Sequence, residues 1–341
     1  MQEVAHEGIA LLVERGAAPY RAGLDGVYTP RPSMSPTASI PGVLDLQRFD
    51  GARADPGALA DLVIEVPHGA TATVDFTSLA QRLKSPLPDA LVDFFHVNTD
   101  AGAPELARSV AARFVEDHPT RAAVVLRCRV PRTFIDCNRK IDAAPEDFKA
   151  GKVTPGLMPW VTDPDDRALL QGLYDSYVRA VGEAVEAVMR AGGAMVMLHT
   201  YAPRSVDVEV DQDIVTNLHR AYEPDVQPTW PLRPEVDLIC RAPDGTSHAP
   251  AAVVMALQRE LKAVDVTAEE SATYPLHPST LAWHHVMAWP GRTLCIEVRR
   301  DLVADPFEPF AEMKISAVRS AHIAHPIARA LAGLYTPSSG S

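Results

Sequence analysis

The sequence predicts an α/β fold, with a single mixed, mostly parallel β-sheet flanked by helices on both faces. Runs of apolar residues with the length of buried strands alternate with patterns typical of helices, and this alternation favours parallel strands. Because the apolar residues of each run occupy both faces, the sheet should be covered on both sides. The predicted strands are residues 61–66, 122–130, 133–136, 194–198 and 292–298.

The clearest predicted helix spans residues 164–191. Asp163 can cap its first turn, and Pro164 suits its first position. Its apolar residues recur at steps of three and four, which gives one apolar stripe, and two glycines end the segment. Other helical patterns lie within residues 86–117, 249–263 and 308–333.

One main domain is predicted over residues 61–335. Residues 1–60 are expected to form an N-terminal extension that packs on this core and adds an antiparallel edge, through hairpin-like sequences at 8–16 and 26–30. The proline-rich segment 224–250 is expected to help cover a cleft. The tail, residues 336–341, is predicted to be disordered.

Composition argues against two classes of partner. The formal net charge is −12, whereas a nucleic-acid surface needs a basic stripe. No window approaches 18 uninterrupted apolar residues, so no membrane span is expected, and the N-terminus does not resemble a signal peptide. The four cysteines lack CxxC spacing and suit buried free thiols in a reducing cytoplasm. Composition leaves the oligomeric state open.

Ionisable and polar side chains gather at the ends of the predicted strands, where open parallel sheets bind their ligands. Two histidines with one carboxylate form a ligand set of catalytic zinc that leaves a position for water. A further carboxylate can serve as general base to that water. The side chains in question are His68, Asp100, Asn138, Arg139, His199 and Glu297.

Structural roles compete with this interpretation. Either histidine could simply be a hydrogen-bonded structural residue, and Asp100 could cap the following helix. Glu297 could pair with Arg292 or Arg299, since burying an unpaired carboxylate costs several kcal/mol. An internal salt-bridge network is a further alternative, and its members would be Arg132, Asp136 and Arg139.

Five sequence blocks resemble, in order, the landmarks of the N-formylglutamate amidohydrolase family. They are IEVPHGA, NTDAGAPELARSVAARF, VPRTFIDCNRKID, MLHTY and CIEVRRDLV, between about residues 61 and 305. The resemblance implies a fold similar to zinc carboxypeptidases. It also implies a metal-dependent amidase that acts on small anionic N-acyl amino acids such as N-formylglutamate.

Roles for single residues follow from the same resemblance. It implies one Zn²⁺ ion held by His68, His199 and Asp100, with Glu297 as the base that activates water. The residues expected to contact the substrate or its oxyanion are Arg132, Asn138, Arg139, Arg299 and His285.

The segment YPLHPSTLAWHHVMAWPG, residues 274–291, departs from the family pattern because it lacks the usual glycine-containing stretch. A differently shaped substrate pocket is therefore expected. A carboxypeptidase-like metallopeptidase is the alternative enzyme, and a binding protein that lost its metal is the alternative of another class. The absence of a GxSxG motif argues against a serine hydrolase.

Overall fold

The computed structural model describes residues 38–141 and 155–335, which build one mixed β-sheet with helices on both faces. The strands run in the order β1-β3-β2-β4-β7-β5-β6. They are β1 (Leu44–Asp50), β2 (Leu62–Val66), β3 (Ala122–Cys128), β4 (Ala194–Tyr201), β5 (Val236–Leu238), β6 (Ala268–Glu270) and β7 (Thr293–Arg299). The predicted fold class is confirmed.

The centre of the sheet is parallel and carries the candidate site. Strands β3, β2, β4 and β7 pair in parallel, so their carboxyl ends meet at one edge of the sheet. Strand β1 is antiparallel to β3, and β5 is antiparallel to β7. The predicted antiparallel edge is thus present in residues 1–60 as β1, whereas the hairpin-like sequences at 8–16 and 26–30 lie outside the described residues.

The helices fall on two sides of this sheet. In chain order they are α1 (Thr73–Ala80), α2 (Leu91–Asn98), α3 (Ala103–Asp117), α4 (Pro164–Arg190), α5 (Ile214–Ala221), α6 (Ala251–Lys262), α7 (Leu281–Ala288) and α8 (Ala317–Leu331). Helices α3, α6 and α8 pack on one face. Helices α1, α2, α4, α5 and α7 pack on the other, called the α4 face below.

Alternation along the strands puts the polar residues of interest on the α4 face. Met197 packs into that core, as does Cys295. Since side chains two positions apart point to the same side, His199 and Glu297 also project from the α4 face. Glu65 shares this face of β2 and is fully buried.

The predicted strand at 133–136 is wrong. The amides of Phe134 and Ile135 donate to the carbonyl of Pro131, which makes a tight turn, and only Ile135 forms an isolated bridge, with Leu157. These side chains are buried without strand pairing. A short apolar run reports burial and cannot by itself distinguish a strand from a buried turn.

Helix boundaries differ from the sequence prediction in two places. Segment 86–117 forms two helices, α2 and α3, which separate at Gly102, where φ is +90°. A Cβ there would lie 2.7 Å from Val303 Cγ2, so glycine is needed for both backbone angle and space. Helix α8 begins only after Ser316, whose hydroxyl caps it. Helix α4 begins as predicted, with the Asp163 carboxylate accepting from two amides of the first turn.

Within the described ranges, no helix has the length and apolar character that crossing a bilayer requires. All four cysteines are buried and free. The tail from residue 336 onward lies outside the described residues.

Candidate metal centre and substrate cavity

Three buried side chains converge at the carboxyl edge of β2 and β4. One ligand atom from each of His68, Asp100 and His199 lies within 4.8 Å of the others. Asp100 Oδ2 is 2.9 Å from His199 Nδ1 and 3.3 Å from His68 Nδ1. Although burial opposes its charge, the two histidines hold the pKa of Asp100 below its usual value. The structure therefore brings together all three predicted metal ligands.

The turn after β2 fixes the position of His68. Pro67 follows the strand directly, and a Cβ on Gly69 would lie 2.6 Å from Arg127 Cγ. The backbone can approach β3 this closely only with glycine at 69. Arg127 Nε then donates to the Gly69 carbonyl at 2.7 Å, which fastens the turn.

Asp136 orients the His68 ring, and the sequence predicted no such role for it. Its Oδ1 lies 2.7 Å from His68 Nε2 and accepts from the Asn138 amide, while Arg132 Nη2 donates to Oδ2 at 2.9 Å. Although burial opposes the charge, His68, Arg132 and Arg139 hold the pKa of Asp136 well below its usual range. The Asp136 carboxylate can accept a ring proton at Nε2, which would leave Nδ1, the nitrogen that faces Asp100, available to a cation.

The predicted salt-bridge network therefore exists, but it forms part of the site. Arg132 Nη1 lies 3.3 Å from His68 Nδ1 and 3.8 Å from Asp100 Oδ1. Asp100 does not cap helix α3 with its side chain, because the capping position is Gly102 and the carboxylate faces the histidines. Arg132 and Asp136 are four residues apart, so their ion pair could be expected from the sequence. The contact of Asp136 with His68, which is 68 residues away, could not.

Glu297 lies beside this cluster on β7. It is the register partner of His199, and its Oε2 is buried without a hydrogen-bond partner among the described residues. Burial raises the pKa of Glu297 to about 7, against the opposing effect of His199. Neither predicted ion pair forms: Arg292 donates to backbone carbonyls, and Arg299 bonds Asp301.

A cavity of about 560 Å³ opens over these residues. Its lining includes His68, Asp100, His199 and Glu297, together with Arg132, Asn138 and Arg139. Arg139 is largely buried, donates to the Asn138 carbonyl at 3.2 Å, and keeps its Nε without a hydrogen-bond partner among the described residues. Burial lowers the pKa of Arg139, with Asp136 opposing that effect.

Two of the residues predicted to contact substrate do not line this cavity. Arg299 donates to Asp301 and to the carbonyl of Arg233, and it pairs with Glu235 at 3.7 Å. His285 lies on helix α7, where burial and the neighbouring His284 lower its pKa to about 4. His285 is therefore not placed to stabilise an oxyanion in this cavity.

The cluster fits a bound divalent metal. It offers two imidazole nitrogens and one carboxylate oxygen, the donor types and number that catalytic zinc sites use. Two buried polar atoms of the same region, His199 Nε2 and Glu297 Oε2, have no partner among the described residues. Buried polar atoms are costly to leave unpaired, and a bound ion or a catalytic role would account for such atoms.

Comparisons with known proteins place the chain in one family. The family model described as N-formylglutamate amidohydrolase matches residues 60–304. The crystal structure of an N-formylglutamate amidohydrolase from Ralstonia eutropha JMP134 superposes with a TM-score of 0.55 at 18% identity, over 86% of this chain and 98% of that one. A gene product of Agrobacterium tumefaciens gives a TM-score of 0.50 at 18% identity, over 86% and 94%.

No curated protein matches the chain significantly. At 18% identity the two crystal structures establish the fold alone. The family model covers most of the chain, including every strand-end residue of the cluster, and it is this match that establishes membership. The chain belongs to the N-formylglutamate amidohydrolase family.

Proposed function

We propose that this protein is a zinc-dependent amidohydrolase that cleaves the N-acyl bond of an acidic amino acid, with N-formyl-L-glutamate as the reference substrate. The observation that carries the proposal is the convergence of His68, Asp100 and His199 beside the buried carboxylate of Glu297. Family membership supports the reaction class. The arginines that line the cavity support an anionic substrate.

We assign one Zn²⁺ ion to His68, His199 and Asp100. Such an ion would lower the pKa of water towards ~7 and polarise the amide carbonyl. Asp136 supports this assignment, because its carboxylate lies 2.7 Å from His68 Nε2 and can accept the ring proton there, which would leave Nδ1 to bind the ion.

Glu297 is the proposed general base. With a pKa raised to about 7, its carboxylate can accept a proton from the attacking water and then return it to the departing nitrogen. Its place opposite His199 on the next strand keeps it within the same pocket as the metal ligands. A cation bound to the cluster would lower this pKa and favour the basic form.

Arginines take the remaining roles. Arg132 lies against both His68 and Asp100, where it can donate to the oxyanion that forms on the carbonyl oxygen. Arg139 and Asn138 are proposed to hold a substrate carboxylate, since a guanidinium fork can bind both oxygens at once. Arg299 and His285 lie outside the cavity lining, and the proposal gives them no contact with substrate.

Two further assignments remain proposals. We infer a cytoplasmic location, which four buried free cysteines support because thiols persist in a reducing compartment. We also retain residues 61–335 as the catalytic domain, with the preceding residues as an extension that contributes strand β1 to the sheet.

The direct test is hydrolysis by the purified protein after its metal has been removed and restored. Release of formate and glutamate from N-formyl-L-glutamate should stop after treatment with a chelator and return with zinc. Undiminished turnover by metal-free protein would contradict the zinc assignment. Absence of turnover in zinc-loaded protein, with every N-acyl amino acid tried, would favour the binding protein over the enzyme.

A further inference from the structure

We propose that the cavity is built for a neutral, apolar N-alkanoyl group longer than formyl, so that the preferred substrates are N-alkanoyl derivatives of an acidic amino acid. This inference rests on the proposed function and specifies its substrate class. It follows from the size of the cavity, from an apolar wall beside the metal cluster, and from the charged side chains near that wall.

The cavity is larger than N-formylglutamate requires. Its volume of about 560 Å³ lies within the range of roughly 300–1,000 Å³ that is typical of sites for drug-sized ligands. N-Formylglutamate has about twelve non-hydrogen atoms, and even at the ~30 Å³ that one water occupies in the liquid these would fill only about 360 Å³. Space for several further non-hydrogen atoms remains.

The extra space has an apolar wall formed by helices α2 and α5. Phe94, Ile214 and Leu218 are buried side chains that line the cavity on this side. The two helices are joined by a 2.7 Å contact between His219 Nε2 and Asp93 Oδ2. The residues of this acyl wall are Phe94, Val97, Ile214, Leu218 and Tyr222, and Val206 and Val208 also line the cavity.

The two ring nitrogens of His68 face carboxylates from different chain segments. Asp100, at Nδ1, comes two residues after helix α2, which carries part of the wall. Asp136, at Nε2, is followed by Asn138 and Arg139. In the proposed pose the amide lies at the cluster, the carboxylate on Arg139 and the acyl group against the wall, all of which line the same cavity.

Charges near the wall disfavour an acyl group that ends in a carboxylate. Asp207 and Glu209 are exposed acidic residues that line the cavity. Arg300 also lines it, but its guanidinium donates to backbone carbonyls, including that of Val97. Arg204 and Arg233 line it as well, and their guanidinium groups are also engaged. Arg204 donates to the carbonyl of Trp230, and Arg233 donates to Ser205 Oγ, the Ala202 carbonyl and the Tyr274 hydroxyl. A neutral alkyl chain fits these surroundings better than an anionic one.

The first experiment measures kcat/KM of the zinc-loaded protein with L-glutamates that carry formyl, acetyl, butanoyl, hexanoyl and octanoyl groups. Each methylene that reaches the acyl wall should raise kcat/KM on the order of fourfold until the wall is filled. N-(Acetylglycyl)-L-glutamate is the polar control of similar length and should gain nothing over acetyl. A steady fall from formyl onward, or a preference for the acetylglycyl compound, would overturn the inference.

A bulky side chain introduced into the cavity should shorten the acyl group that the enzyme prefers. Val208 lies on an irregular segment and is only partly buried, so Val208→Trp can be accommodated without disturbing a helix or strand. The ratio of kcat/KM for the octanoyl over the acetyl compound should fall at least tenfold. The matched control is Leu59→Trp at an exposed position that does not line the cavity, and it should leave that ratio unchanged. An unchanged ratio in Val208→Trp would contradict the proposed path, and Val97→Phe tests the same path from helix α2.

Binding separates this inference from the proposed reaction. The acyl series is titrated calorimetrically into zinc-loaded Glu297→Gln protein, which retains the cavity. Affinity that rises with chain length supports the apolar acyl site even if no compound is hydrolysed. Affinity that is equal for all chains, together with efficient hydrolysis of the formyl compound, overturns the inference and leaves the proposed function intact.

Discussion

His199 and Glu297 lie directly opposite one another on the neighbouring parallel strands β4 and β7. Residues in register on adjacent strands project to the same face, so the carboxylate comes next to the imidazole that contacts Asp100. A slip of one residue in this pairing would send one of the two side chains to the opposite face. The register of two buried strands therefore sets the relation between a proposed metal ligand and the proposed base.

Replacing the base should separate metal binding from turnover. In Glu297→Gln the amide cannot accept a proton, and turnover should fall on the order of 10²-fold or more. Zinc content should remain near one ion per chain, because Glu297 is not among the three converging ligands. Metal analysis and formate release measure the two quantities. Glu269→Gln, an exposed position on strand β6, is the matched control, and full turnover in Glu297→Gln would exclude this role.

Replacing either imidazole ligand should remove the metal. His68→Ala and His199→Ala each leave two of three ligands, which should be too few to retain zinc through gel filtration. His322→Ala, at an exposed position on helix α8, is the control and should retain zinc. Elemental analysis measures the zinc content, and stoichiometric zinc in either variant would remove that histidine from the proposed ligand set.

Asp136 should act through His68. In Asp136→Asn the neutral amide no longer stabilises the Nε2 proton, and zinc affinity should fall roughly 10- to 100-fold. Competition with a chelating dye measures this affinity directly, and thermal melting of the metal-free protein checks that the fold survives. Unchanged zinc affinity would restrict Asp136 to its ion pair with Arg132.

Arg139 should bind a carboxylate of the substrate through two parallel hydrogen bonds from its guanidinium group. Arg139→Lys keeps the charge but loses the bidentate geometry, so kcat/KM for N-formyl-L-glutamate should fall roughly 10- to 100-fold. The substrate in which the bound carboxylate is replaced by an amide should show no such difference between wild type and variant. Arg241→Lys, at an exposed arginine paired with Glu270, is the control. If Arg139→Lys lowers kcat/KM equally for N-formyl-L-glutamate and for both analogues in which one carboxylate is an amide, Arg139 does not bind a substrate carboxylate.

The sheet and the ends of its central strands could be predicted from the sequence because those strands are buried on both sides. Continuous apolar runs such as 61–66 and 194–198 leave little choice of secondary structure, and parallel pairing brings His68 and His199 to one edge. The strands β5 and β6, of three residues each, carry no such pattern.

Side-chain partners beyond the strands could not be predicted in the same way. Arg299 follows Glu297 by two residues and shares its face of β7, yet its guanidinium pairs with Asp301 and Glu235. These partners depend on how chain segments meet after the strand ends, and sequence periodicity does not encode that. The apolar residues before Asp136 predict a strand for a related reason, because they are buried although they lie in a turn.

Glu65 is a second buried carboxylate, on strand β2, below the candidate site. It is fully buried, and Tyr177 donates to its Oε1 at 2.7 Å. Burial raises the pKa of Glu65 to about 7, against the lowering effect of that hydrogen bond. In the unfolded chain the same group has its ordinary pKa of 4.5. The folded state therefore binds this proton more tightly than the unfolded state does. At a pH above about 7, where Glu65 must ionise, the free energy of unfolding is reduced.

Glu65→Gln should relieve that penalty in the metal-free protein. The contribution of the Glu65 proton to stability is complete below pH 4.5 and is lost as pH rises through about 7, whereas glutamine cannot ionise and still accepts from Tyr177. Relative to wild type, the free energy of unfolding of the variant should be greater at pH 8 than at pH 4.5 by on the order of 3 kcal/mol. Urea denaturation at both pH values measures the difference, with Glu269→Gln as the exposed control. A difference between variant and wild type that does not change with pH would show that Glu65 is ionised in the folded protein, and its charge would then need a partner other than Tyr177.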